Sequence, residues 1–247
     1  MPLIPSVPHV PGALRAGSSS LLLAVLASGL LHADAAAQAT IADANRWGDY
    51  LAGVRAAEQH VAAAIVAGRG QDRTAAAARA EAAARQALAI APDGVDARVW
   101  LAVALGLKAE AMGGRDQLRM GREAHELALA ALAADPEHAC AHHVVGRVHG
   151  AAMRMSGMAR FLAGRILGSD LARHASWDQA EQHLRRAAEL EPDAIQHPLE
   201  LAKVLKDRGR ADEARTLLLP LIDRHPQTEL DRYLIAEAAE ELEELAG

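Results

Sequence analysis

The chain has 247 residues, of which 51% are apolar and only 2% aromatic, with a net charge of -6 and a sequence pI near 6.0. That length accommodates one good-sized domain with a real core, or two small ones. Arginines interleaved with a surplus of acids exclude the basic field of a nucleic-acid binder, and the single cysteine, Cys140, excludes an intrachain disulfide. Alanine dominates, which favours an all-α fold, because a methyl side chain loses no entropy in a helix and lets helix backbones approach closely.

The first feature along the chain is an apolar run, Leu21 to Leu31 (LLLAVLASGLL), preceded by Arg15. Two small-x-small patterns follow it, Ala33-Asp34-Ala35 and Ala37-Gln38-Ala39. This is the layout of a cleavable secretory leader over residues 1–39, with processing expected after Ala39 and a mature chain starting at Thr40. The run is shorter than the roughly 20 apolar residues a permanent bilayer span needs. The expected location is therefore exported, periplasmic or secreted.

From there the periodicity predicts helices in pairs, forming a single domain over residues 40–247. A long helix over 41–67 and a second over 72–90, separated by the turn Gly68-Arg69-Gly70, make a first hairpin at 41–90. Helices at 95–109 and 115–133 make a second, at 95–134. The third, 139–190, opens with a helix over 139–150 and closes with one over 176–190, between which lies an insertion, 151–175. A fourth hairpin spans 195–225, and an acidic cap follows at 228–246. Each hairpin closes on a proline, at Pro92, Pro136, Pro192 and Pro226, at intervals of 44, 56 and 34 residues.

Residues 195–226 fit the 34-residue tetratricopeptide repeat closely, with Leu201, Ala202, Leu205, Gly209, Ala214, Leu218, Leu221 and Pro226 at its small and apolar packing positions. In the third hairpin Trp177, Ala180, Leu184 and Ala187 occupy corresponding places. The expected architecture is a tetratricopeptide-repeat-like right-handed solenoid of antiparallel hairpins, with an insertion in the third repeat and a C-terminal capping helix.

Two constellations carry chemistry. His138, Cys140, His142, His143 and His149 are dense in soft donors, and Cys140 and His143 can share a helix face. No carboxylate stands among them and no second ligand pair follows at a finger-like spacing. They read as packing and capping residues, with no metal and no other cofactor expected. The insertion combines Met153, Met155, Met158, Phe161, Leu162, Ile166 and Leu167 with Arg147, Arg154, Arg160, Arg165 and Arg173, a basic and apolar patch in an acidic chain. Methionine adapts to varied apolar partners and arginine engages phosphate or carboxylate, so Arg147, Arg154, Met155, Met158, Arg160, Phe161 and Arg165 are the candidate binding residues. No nucleophile elbow, glycine-rich phosphate loop or His-Glu-x-x-His motif occurs, so no enzyme and no catalytic residue is expected.

From about Trp100 to Leu245 the chain resembles the regulator of microtubule dynamics family. The matching landmarks are DPEHACAHHVVGR (Asp135 to Arg147), the apolar insertion, WDQAEQHLRRAAELEP (Trp177 to Pro192) and LAKVLKDRGRADEA (Leu201 to Ala214). The resemblance implies a tetratricopeptide-like helical domain, and it makes His142, His143, Gly146, Trp177, Ala180 and Ala214 structural-motif residues. Eukaryotic members are linked to microtubules or organelle membranes, and lipid handling belongs to what the resemblance suggests. The leader and composition point instead to a bacterial envelope protein. The expected function is a non-enzymatic exported scaffold that binds a protein or peptide on its concave face. The alternative is a carrier or sensor of a phospholipid or other apolar ligand with an acidic head. A membrane surface is a further partner compatible with the patch, and nucleic acid is not.

Overall fold

The computed structural model describes residues 19–166 and 170–246, and every regular element in them is helical. The elements are α1 (Ser19–Val66), α2 (Gln71–Ile90), α3 (Val95–Glu110), α4 (Gly114–Ala134), α5 (Ala139–Arg154), α6 (Gly157–Ile166), α7 (Asp170–His174), α8 (Trp177–Leu190), α9 (Gln196–Asp207), α10 (Ala211–Ile222) and α11 (Glu229–Glu244). Two compact units divide the chain, Met1–Trp47 and Gly48–Gly247. In the first, the described residues are the opening turns of α1. Arg15 lies outside the described residues, as does Leu167. No described helix is long and apolar enough to cross a membrane.

The second unit is a stack of helical hairpins. Proline sets three of its boundaries through the residue in front of it, where the ring disfavours helical backbone. Ala91, Asp135 and Glu191 precede Pro92, Pro136 and Pro192, and all three leave the helix with positive ψ. Restarts are capped by side chains. His138 Nδ1 accepts from the Ala141 N–H, Ser176 accepts from Gln179, and Thr228 forms a reciprocal capping box with Asp231. The turn of the fourth hairpin places Gly209 at φ +75°, where Arg210 N–H donates to Leu205 and Gly209 N–H to Lys206, the Schellman arrangement only glycine enters freely.

Each hairpin is held by small-residue contact. Ala57, Ala64, Ala76, Ala77, Ala80 and Ala84 are fully or almost fully buried between the later part of α1, α2 and α3. The repeat positions read from the sequence fill the second half of the core: Leu201, Ala202, Leu205, Ala214, Leu218 and Leu221 are buried with Ala180, Leu184 and Leu234. Consecutive helices pack from α2 through α5, then α5 packs on α8, and α8 on α9, α9 on α10 and α10 on α11. Contacts of α3 with α5, α5 with α9 and α9 with α11 join the first helices of successive hairpins into one layer.

The insertion begins later than its sequence suggests. α5 does not stop at Gly150 but continues to Arg154, because Ala151 and Ala152 extend the helix and Ala152 is buried. It ends at Met155, where the backbone turns extended, and Ser156 Oγ then accepts from Ala159 N–H to start α6. α6 packs on α7 and α7 reaches α5, so the inserted residues form two short helices before α8 returns to pair with α5.

Candidate functional site

The layer of first helices carries an alternating charge ribbon. On α5, Arg147 pairs with Glu110 of α3 and lies 3.6 Å from Glu200 of α9; Glu110 also receives Arg73 of α2. Arg154, two helical turns further on, meets Glu200 at 3.6 Å and Asp207 at 2.7 Å. Lys203 approaches Glu200 at 3.8 Å and bonds Glu237 of α11 at 2.6 Å, and Lys206 ends the ribbon on Glu241 and Glu244. Glu200 is buried at its centre. Burial alone would raise its carboxyl, but Arg147, Lys203 and Arg154 outweigh that and hold it at about 2. Arg147 and Arg154 thus hold carboxylates of their own chain, and an anionic ligand there would compete with Glu110, Glu200 and Asp207.

The remaining candidate residues divide between anchoring and display. Arg160 donates to the Met153 and Met155 carbonyls, at 3.0 and 2.8 Å, and so closes the C-terminal end of α5. Met155 itself is half-buried. Met158 and Phe161 are 69% and 59% exposed. Met158, Phe161 and Arg165 follow i, i+3, i+7 spacing and share one face of α6, with the Arg165 guanidinium 5.9 Å from the Phe161 ring. Arg160→Ala should loosen α6 without unfolding the stack. Amide hydrogen exchange over residues 155–166 should accelerate roughly tenfold, as loss of charge-assisted bonds worth about 1.5 kcal/mol requires, while the melting temperature moves by less than about 2 °C.

The histidines of α5 meet others brought in from α4, α8 and α9. His142 Nε2 faces the Pro136 carbonyl at 3.0 Å and must carry a proton there, so its Nδ1 accepts from His183 Nδ1–H at 2.8 Å. The His183 ring lies parallel to His149, with centroids 6.5 Å apart, and His149 meets His125 edge to face at 5.2 Å. Burial pushes His149 and His183 down to about 4, helped by His125 in the first case and by His142 and His149 in the second. His125 Nε2 and His149 Nδ1 are buried without a hydrogen-bond partner. His143 turns the other way, its Nδ1 3.0 Å from Nδ1 of the fully buried His197, whose Nε2 faces Glu191 at 3.2 Å. Nothing in local sequence marks His125, His183 and His197 as partners, since each belongs to a different helix.

The structural-motif residues occupy close-packed positions. Ala180 and Ala214 are fully buried, Trp177 packs against the same core, and a Cβ built on Gly146 would stand 2.6 Å from Leu184 Cγ and 3.0 Å from the Ala180 carbonyl. Paired antiparallel helices with small residues at the crossing points define a tetratricopeptide-repeat-like protein, a class that presents binding surfaces on stacked hairpins. The sequence model of the family described as Regulator of microtubule dynamics protein 1-3 matches residues 34–246, and the chain belongs to that family. No curated protein matches the sequence. Among solved structures, a thermophilic tetratricopeptide-repeat protein of Thermus thermophilus is similar over 68% of this chain and 79% of its own, at 19% identity and a TM-score of 0.45. PilF of Pseudomonas aeruginosa is similar over 82% of this chain and 89% of its own, at 17% identity and a TM-score of 0.35.

Proposed function

We propose that this protein is an exported, non-enzymatic scaffold that holds a protein or peptide partner along the concave side of its first-helix layer, with α6 as an apolar anchor. The observation that carries the reading is the exposed face of Met158, Phe161 and Arg165 on α6, the helix that follows Arg154 of the charge ribbon in the chain. Large apolar side chains left in water beside a cation are suited to bury a partner's hydrophobic residue, while the ribbon offers paired charges to a polar backbone or side chains. The same face favours a second reading, a carrier of an apolar ligand with an acidic head, in which Arg165 meets the head.

One preparation distinguishes the two. The chain is produced with its own leader and a photo-crosslinking residue in place of Phe161, irradiated in cells, and its products are weighed. The scaffold reading expects a discrete protein adduct that Met158→Glu weakens at least fivefold, and a processed chain starting at Thr40. A copurifying mass in the phospholipid range, lost in Met158→Glu, would replace it with the carrier reading. An unprocessed N-terminus would remove export from either.

A further inference from the structure

We propose that Cys140, Glu191 and His197 form a binding site for a thiophilic divalent transition metal of the zinc type, at the junction of the third and fourth hairpins. One ligand atom from each of the three residues lies within 4.8 Å of the other two. The residues come from three separate places: the first turn of α5, the residue that ends α8, and the first turn of α9. A tetrahedral site with bonds of roughly 2.0–2.3 Å needs its ligand atoms about 3.5 Å apart. His197 Nε2 and Glu191 Oε2 already stand at 3.2 Å. Glu191 is half-exposed, so its carboxylate is free to swing onto an ion and also marks the route by which one enters.

The surroundings suit a dication. Burial is the largest influence opposing a bare Cys140 thiolate, and the charged groups acting on it, Glu191, Glu58 and Asp96, are all acidic. Replacing the Sγ proton by a doubly charged ion adds one positive charge to a site ringed by these acids, taking it from net negative to neutral, which favours binding. Binding takes the Sγ proton to solvent and forms bonds to the thiolate sulfur, one carboxylate oxygen and the neutral imidazole Nε2, leaving a fourth position for water.

A second layer supports the imidazole. In the free protein His197 Nε2–H points at Glu191, and its Nδ1 accepts from His143. With a metal at Nε2 the proton moves to Nδ1, and His143 becomes the acceptor of that bond. The 3.0 Å contact survives with its direction reversed. His143 is thus a positioning residue for His197, not a ligand.

The test uses the full chain stripped with a chelator and titrated with cobalt(II), then zinc(II). The expected result is one cobalt per chain with the near-ultraviolet charge-transfer band of a cobalt–thiolate bond, displaced by zinc. Cys140→Ser should abolish the band. Glu191→Gln, which alters an exposed side chain and leaves the core intact, should weaken binding at least about tenfold, the loss typical of even an outer-shell partner. Absence of the band in the unaltered chain overturns the proposal. So does binding that changes by less than about twofold in both variants, which would place the ion elsewhere on the chain.

Discussion

Acidification from pH 6.5 to pH 4 is expected to remove several kcal/mol of folding stability, read as a falling urea midpoint at constant slope. His149 and His183 have folded values near 4, whereas an unfolded histidine titrates near 6.5. Across that interval the unfolded chain binds protons that the folded chain refuses, so stability is complete above pH 6.5 and drains away as pH falls toward 4. Each group alone would account for about 3 kcal/mol; because the two act on each other, a joint loss of about 3–5 kcal/mol is the better figure. His125, His143 and His197 are lowered as well and add with the same sign. The groups acting on this set are largely other histidines, with Arg147, Lys203 and Glu200 facing His143 and Glu191 facing His197. Below about pH 4 the loss from His149 and His183 levels off, and Glu200 takes over, its stabilisation being lost between about 4.5 and 2. The double variant His149→Leu, His183→Leu should flatten the profile between pH 6.5 and 4. An unaltered protein equally stable at pH 7 and pH 5 would show that these rings are not held neutral by burial.

Gly146→Leu should leave no cooperatively folded protein at room temperature. The first added atom would already stand 2.6 Å from Leu184 Cγ and 3.0 Å from a backbone oxygen of α8, and Leu184 is fully buried with nowhere to move. Overpacking by a single methylene costs about 1–3 kcal/mol, and leucine adds four heavy atoms, against a total stability of about 5–15 kcal/mol for an ordinary domain. Gly150→Ala, one turn further along the same helix, is the control. Its Cβ would meet Val204 Cγ2 at 3.4 Å, an ordinary contact, and alanine for glycine inside a helix contributes up to about 1 kcal/mol. Circular dichroism should therefore show no cooperative melt for Gly146→Leu and an unchanged or raised melting temperature for Gly150→Ala. A folded Gly146→Leu would refute the repeat register that sets α5 against α8.

That register was legible before any coordinates, because Gly146, Ala180, Leu184 and Ala214 recur at the repeat's packing positions. Three helix ends were legible because Pro92, Pro136 and Pro192 act on the single residue before them. The end of α5 was not: the helix expected over 139–150 runs on to Arg154, with Ala152 buried. Among the candidate residues, Met158 and Phe161 are exposed and share a face of α6 with Arg165. Arg147, Arg154 and Arg160 carry the right charge but already have partners, Glu110 and Glu200 for the first, Glu200 and Asp207 for the second, and the α5 carbonyls for the third.

The division follows the range of the forces. Helix propensity, capping, the backbone constraint of proline and the fit of small side chains operate over about four residues or at a recurring spacing, so the chain by itself determined its helices, its hairpins and its family. Whether a charge is spent or available, and whether a histidine stands alone or among its kind, depends on which helices pack together. Only the tertiary structure decided that Arg147 faces Glu110 and Glu200, that His149 lies among His125 and His183, and that Cys140 shares a corner with Glu191 and His197, because burial and Coulomb forces act across space between groups far apart in sequence.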